Sequence, residues 1–290
     1  MRGGQRQVLL LMAGLRAAGH ECVLLAASRG ALREEANSAG FAVRNAGLAA
    51  CWRESQKAAL VHAHDAHAHT LAAIASRRMF VVSRRVAFPI GRSIASRWKY
   101  RRAARYIAVS RFVARELEAA GVPKEEIEII HDAVEIAAQA DGWSAGNPAV
   151  ALASDDPQKG RDLIEQAVEI SGIPVRFSED LANDLRAASM FVYITRSEGL
   201  GSAVLLAMGM GVPVIASRVG GLPEVVEDGV SGLLVANQPQ EIARAMQRLL
   251  DEPSLANSIV ARAKTNITSR FTKERLITAT LHAYERTLAG

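Results

Sequence analysis

Glu198 stands directly before a Gly-Leu-Gly-Ser turn in the run Arg196-Ser197-Glu198-Gly199-Leu200-Gly201-Ser202-Ala203-Val204, a spacing that suits an anion and a polyol. A strand-like apolar run ends at Thr195, the two glycines permit a tight turn, and a helix is expected from about Gly201. Free backbone amides and the positive end of that helix then face one spot, which makes an anion site. Glu198 at its lip can accept two hydrogen bonds from vicinal hydroxyls, as a sugar ring offers. A plain structural turn accounts for the Gly-x-Gly pair equally well.

The second constellation is His62-Ala63-His64-Asp65-Ala66-His67-Ala68-His69, which holds four of the seven histidines in eight positions. At a strand end alternate residues share a face, so His62 and His64 could jointly bind a metal, which would make a hydrolase. No second motif supplies the remaining ligands, and histidines that cap a strand end explain the same pattern, so no metal is expected.

A third region is cationic. The stretch 77–111 contains 11 Lys and Arg and no acid, while residues 1–135 carry 21 Lys and Arg against 12 Asp and Glu, or +9, leaving −4 for the rest. Within it, Arg84 and Arg85 follow a strand and suit a phosphate or carboxylate on an acceptor through forked hydrogen bonds. The block as a whole favours an anionic partner, either a phosphorylated acceptor or a membrane surface, with a solvated face as the plain alternative. Aromatic residues are 5% of the chain and do not interleave with the cations, so no nucleic acid is expected.

These residues need positioning elements, and 290 residues with 49% hydrophobic content suffice for two lobes with cores of their own. Strands are expected at 21–26, 59–63, 79–83, 106–109 and 127–130, with helices at 8–18, 31–39, 70–76, 96–104 and 111–120. After a polar, Gly-containing linker at 139–148 a second series has strands at 149–153, 175–177, 190–194, 214–216 and 232–235. Its helices start near Gly160, Asp180, Gly201, Leu222 and Pro239, and an amphipathic helix closes the chain at 273–288. Alternating strands and helices argue for parallel sheets covered on both faces. Cys22 and Cys51 form no disulfide framework, no apolar run reaches the ~20 residues of a membrane span, and residues 1–15 lack a cleavage site. A mature cytoplasmic protein is the expectation.

The stretch 196–216 resembles the nucleotide-sugar signature of the group 1, or family 4, retaining glycosyltransferases. Gly3-Gly4-Gln5-Arg6, Lys159-Gly160-Arg161-Asp162, Gly220-Gly221-Leu222-Pro223-Glu224 and Asp228-Gly229-Val230-Ser231-Gly232 are similar to further family motifs, in the family's order. The resemblance implies the GT-B fold, two Rossmann-like domains with parallel sheets facing a central cleft. Residues 1–135 would be the acceptor side, with the terminal helix 273–290 packed on it, and 149–270 the donor side. It makes Lys159 a ligand of the donor diphosphate and Glu198 a ligand of the donor sugar, the two catalytic candidates. Amides from Gly199, Leu200, Gly201 and Ser202 would hold donor oxygens, with Ser154 where an arginine is usual and Gly3 and Gly4 approaching from the other lobe. His64, Asp65, His67, Arg84 and Arg85 would line the acceptor side.

Sugar transfer from a nucleotide diphosphate sugar to an anionic or lipid-linked acceptor is implied, in envelope glycan synthesis at the inner face of the membrane. No cofactor or metal is implied, because a lysine and aligned amides can stabilise the leaving diphosphate. Three departures set a second reading, a non-catalytic binding subunit, beside it. Leu206 replaces the family's second glutamate, Ser154 replaces its arginine, and one strand-helix unit is missing between Lys159 and Glu198.

Overall fold

The computed structural model describes residues 3–91, 93–136, 140 and 143–289. It divides into two compact units, Met1–Asp132 with Lys273–Gly290, and Ala133–Thr272. The division falls after Asp132 because the next residues are tied to the second unit. The Val134 amide donates to Phe271 O (3.0 Å), and the Ile136 side chain lies against Gly209. Within the expected linker, Gln139, Asp141 and Gly142 lie outside the described residues. Trp143, by contrast, packs on the second core and donates its indole N–H to Ser189 O (2.9 Å). That part of the polar run is an anchored segment.

The first unit has strands β1 (Val23–Ala26), β2 (Ala42–Asn45), β3 (Val61–Ala63), β4 (Phe80–Arg84), β5 (Arg105–Ala108) and β6 (Ile127–Ile129). β1 pairs with β2, and β3-β4-β5-β6 form a four-stranded sheet in chain order, all parallel. Val8, Met12, Leu24, Ala26, Ala36 and Phe41 form one of its apolar clusters. The helix Lys273–Ala289 belongs to this unit, and Gly14 of the helix Gly3–Ala17 faces its Ile277 so closely that a Cβ would lie 2.0 Å from the Ile277 side chain. β2 and the helix Leu48–Ser55 have no counterpart in the expected elements. β2 is short and mostly exposed, so no apolar alternation marks it. The basic helix runs over Ile94–Tyr100, shorter than expected, with Ser93 capping it through the Ser96 amide. Arg92 lies outside the described residues.

The second unit has β7 (Ala149–Leu152), β8 (Val175–Ser178), β9 (Met190–Tyr193), β10 (Val214–Ser217) and β11 (Leu233–Val235) in the order β11-β10-β9-β7-β8, again all parallel. β9 and β10 are buried along their whole length, as expected of a sheet covered on both faces. Met190, Val192 and Ile215 of the strands pack in one core with Ile164 of the helix Arg161–Ser171 and Ile242, Met246 and Leu249 of the helix Pro239–Asp251. Each such side chain contributes about 1.5–3 kcal/mol by leaving water. The helix Pro253–Arg270, rich in Ser, Asn and Thr, is also absent from the expected elements.

Candidate functional site

Strand order sets the second unit's site. The chain leaves β7 toward β8 on one side and returns to β9 on the other, so loops after β7 and β9 part at their carboxyl ends. Such a switch point opens a crevice for ligands. Lys159 follows β7 and Glu198 follows β9, and there they meet, Lys159 Nζ lying 3.1 Å from Glu198 Oε2.

Both loops are held by the backbone. Gly160 has φ +57°, and a Cβ there would lie 2.7 Å from Ile194 Cγ2. The Thr195 hydroxyl donates to Gln158 O (3.0 Å) and the Arg196 amide to the same carbonyl (2.8 Å). On the far side, Gly220 (φ +57°) approaches Glu198 so closely that a Cβ would sit 2.0 Å from its carbonyl oxygen. The Gly221 amide donates to that oxygen (3.0 Å). Only glycine supports both the left-handed backbone and this approach. The Gly220-Gly221 motif therefore fixes Glu198 by its main chain.

The helix Ser202–Met210 starts here with Gly201 as N-cap (φ +102°), which has no side chain to cap the first amides. Its core is apolar on nearly every side, so it is clamped by packing and aims a fixed positive end at the loop. Leu200 is buried, so of that residue only the backbone is available. Ser154, after β7, accepts the Asp156 amide (3.3 Å) on its hydroxyl.

Sequence reasoning missed Tyr193, the last residue of β9. It is buried and stacked on Phe191. Its hydroxyl donates to Glu198 Oε2 and accepts from Lys159 Nζ (3.0 Å). Burial, followed by the Glu198 charge and the hydrogen bond to it, pushes this phenol well above its usual range. Only its place at a strand end before the Glu198 loop could have drawn attention to it.

The first unit gathers a different cluster at the ends of β3, β4 and β6. Arg85 Nε donates to Asp132 (2.8 Å), its Nη1 lies 3.2 Å from His64 Nδ1, and both Arg85 and Asp132 are largely buried. His62 is engaged at both ring nitrogens, by the Tyr284 hydroxyl (2.6 Å) and the Ser83 hydroxyl (2.8 Å). The two imidazole rings lie 3.9 Å apart. Burial foremost and then the Arg85 charge push His62 down to about 3, while burial, His62 and Arg85 push His64 well below 6.5.

Around this cluster the structure places the other residues singled out in the sequence. His62 and His64 do not form a metal pair, because the nitrogens of His62 are taken and a guanidinium stands where a cation would bind. Among the described residues no group of three or more His, Cys, Asp and Glu could hold a metal. Asp65 is the N-cap of the helix Ala66–Ala75, accepting the Ala68 amide (2.7 Å), and His67 lies exposed in that helix's first turn. Arg84 turns from Arg85 to the Tyr100 hydroxyl (3.0 Å) and Phe88 O. Gly3 and Gly4 are the first residues of a helix and form no loop. Asp132, Ser83 and Tyr284, none singled out in the sequence, complete the cluster.

The parallel sheets and the crevice with its lysine-carboxylate pair define a two-unit α/β protein with a ligand crevice at a strand switch point, and the comparisons with known proteins place it in a family. Residues 107–252 match the model of "Glycosyl transferases group 1", and residues 1–138 that of "Glycosyltransferase Family 4". The chain belongs to the group 1, family 4 glycosyltransferases. It is 33% identical over 140 residues, 46% of this chain, to a D-inositol 3-phosphate glycosyltransferase of Saccharomonospora viridis, of which the match covers 32%. The matched part thus spans about a third of that relative's length. The structure of Anabaena Alr3699/HepE in complex with UDP and glucose superposes with a TM-score of 0.84 at 18% identity, covering 98% of this chain and 96% of that one. Sucrose-phosphate synthase of Thermosynechococcus elongatus gives 0.76 at 17%, covering 99% and 94%. The fold is GT-B.

Proposed function

We propose that the chain transfers a sugar from a nucleotide diphosphate sugar, bound by the second unit, to an anionic or lipid-linked acceptor recognised by the first. The observation that carries this reading is the meeting of Lys159 and Glu198 at the switch point of the second sheet. Lys159 and the uncapped amides of Leu200, Gly201 and Ser202, beside the Gly199 amide that Glu198 Oε1 holds, supply positive charge for the diphosphate, which becomes the leaving group. Glu198 supplies acceptor oxygens for sugar hydroxyls. The neighbour solved with UDP and glucose supports a donor of this class. Retention at the anomeric carbon rests on the family resemblance.

On the acceptor side, Arg85 is held by Asp132 and His64 with part of its guanidinium left for a ligand oxygen. A phosphorylated acceptor suits it, and relatives named D-inositol 3-phosphate glycosyltransferase support that class. The helix Ile94–Tyr100 supports a place at the membrane. No helix among the described residues is long and apolar enough to cross a bilayer. On this helix, Ser96, Lys99 and Tyr100 are half-buried, whereas Ile94, Arg97 and Trp98 are exposed, as are Arg101 and Arg102 just beyond its end. At about 100° per residue Ile94, Arg97 and Trp98 fall within one arc of roughly 100°, so apolar and cationic side chains share the outward face, and Arg101 and Arg102 add charge where the helix ends. That composition fits an anionic lipid surface, in keeping with envelope glycan synthesis on its cytoplasmic side.

Calorimetric titration with UDP-glucose, UDP-N-acetylglucosamine and GDP-mannose, with metal analysis of the same sample, tests the reading. It predicts binding of one of these without metal, and a product whose anomeric configuration matches the donor. Leu206 in place of the second glutamate favours the alternative, a binding subunit, and donor binding with no turnover on any phosphorylated or lipid acceptor would select it.

A further inference from the structure

The Glu198 carboxylate is occupied before any ligand arrives. Oε2 accepts from the Tyr193 hydroxyl and from Lys159 Nζ, and Oε1 accepts from the Gly199 amide (3.0 Å). Lys159 is shared between two partners, since its ammonium also donates to the Tyr193 oxygen and lies 5.3 Å from the centre of that ring. Three groups therefore form a closed triangle in which the lysine and the carboxylate offset one another.

A diphosphate that takes up Lys159 must draw it partly away from Glu198, because one ammonium has three protons to distribute. The carboxylate then needs another donor to stay in place, and Tyr193 is the group already there. Its ring cannot follow the lysine. Tyr193 ends a strand buried along its length, and the ring stacks on Phe191 with centroids 5.7 Å apart. Its phenol stays protonated through the neutral range, because burial first and the Glu198 charge second raise its ionisation well above the usual value.

We propose that Tyr193 is a positioning residue that sets discrimination between a nucleotide diphosphate sugar and the bare nucleotide diphosphate. It does so by holding the Glu198 carboxylate toward the sugar when Lys159 turns to the phosphates. The inference rests on the donor-site reading and extends it to a residue in contact with neither ligand. Without the hydroxyl, Glu198 keeps only Lys159 as a side-chain donor and the two close into an ion pair. The sugar then competes for a carboxylate that no longer faces it, whereas the phosphates still find the loop amides.

The test compares each sugar nucleotide of the panel with its own nucleotide diphosphate by calorimetry, on the whole chain and on Tyr193→Phe. The sugar nucleotide should bind tenfold or more weakly to the variant, with the bare diphosphate changed less than twofold. In the Glu198→Gln background the same change should have little effect, closing a double-mutant cycle. Tyr193→Leu, which also keeps an apolar filling, decides the matter if Tyr193→Phe does not fold. Equal loss for both ligands, no loss for either, or a Tyr193 effect undiminished beside Glu198→Gln overturns the inference while donor binding stands. No binding of any panel member by the unaltered chain overturns the donor-site reading and this inference together.

Discussion

The two units place ionisable side chains at the same topological position, the carboxyl ends of parallel strands, and hold them in opposite ways. In the first, Arg85, Asp132, His64 and His62 are fixed by one another, by Ser83 and by Tyr284 of the terminal helix. In the second, Lys159 and Glu198 are fixed by glycine-dependent main-chain approaches, and their side chains touch only each other and Tyr193 apart from the Gly199 amide. The units also differ in charge. The first carries 24 Lys and Arg against 13 Asp and Glu, or +11, and the second 11 against 17, or −6. All seven histidines lie in the first. Its polar cluster is thus bound up with the stability of its fold. The second unit's pair can be rearranged by a ligand without disturbing the core.

The largest effect that would break this contrast is on catalysis. Glu198→Ala should abolish transfer while the melting temperature changes little, because its position is set by backbone contacts. Retained turnover in a radiolabelled-donor assay would remove Glu198 from the site. Asp132→Ala should show the reverse pattern. It leaves a largely buried guanidinium without its carboxylate, at a cost of about 3–5 kcal/mol. Hydrogen exchange should locate that loss in β3–β6, with β7–β11 unaffected; uniform protection in both units would show that the cluster is not structural. Lys159→Ala should weaken donor binding tenfold or more, as for a charge-assisted contact of about 1.5–3 kcal/mol.

How far the sequence revealed these arrangements follows the same division. Parallel strands such as Met190–Tyr193 and Val214–Ser217 read as continuous apolar runs, and the Glu198 and Lys159 motifs carry their own glycines, so the second unit's architecture was legible. The resemblance put Lys159 and Glu198 on one donor, but their direct contact was not legible, since it depends on strand order β7-β9 and not on spacing. Asp132, Ser83 and Tyr284 were invisible for a related reason. Each becomes polar-active only through a partner 21 to 222 residues away. The glycine loop expected at Gly3-Gly4 is a helix, and the capping role of Asp65 was not read from the sequence, where the resemblance gave that residue only an acceptor-side place.

Acid should separate the units further. His62 is held down to about 3 and His69 to about 4, both chiefly by burial and next by a nearby cation, Arg85 and Lys99 respectively. His64 is held well below 6.5. Unfolded, these imidazoles take up protons near 6.5, so the unfolded state binds more protons below that pH. Stability is then full above about pH 6.5 and falls as the pH drops toward 3. β3–β6 should lose exchange protection in that window before β7–β11 do, and His62→Gln should lessen the slope if the Tyr284 and Ser83 contacts survive. Loss that begins in the second unit would contradict the assignment of acid sensitivity to these three histidines.

The smallest expected effect tests what the first unit's charge is for. If the outward face of Ile94–Tyr100 meets anionic lipid, each cation near the surface adds about 1 kcal/mol, so Arg101→Gln alone should weaken vesicle binding only about fivefold. Arg97, Arg101 and Arg102 changed together to Gln should nearly abolish it. Trp98→Ser should weaken it too, through lost apolar contact, and without altering its salt dependence. Binding should occur to vesicles containing phosphatidylglycerol, not to pure phosphatidylcholine, and fall steeply with salt, because exposed charges are screened over about 8–10 Å near physiological ionic strength. Equal sedimentation with both vesicle types would leave the exposed Ile94 and Trp98 without a lipid partner. A salt-dependent interaction that survives the triple Arg change would move the contact to the remaining cations of 77–111, and with it the surface by which the first unit meets its acceptor.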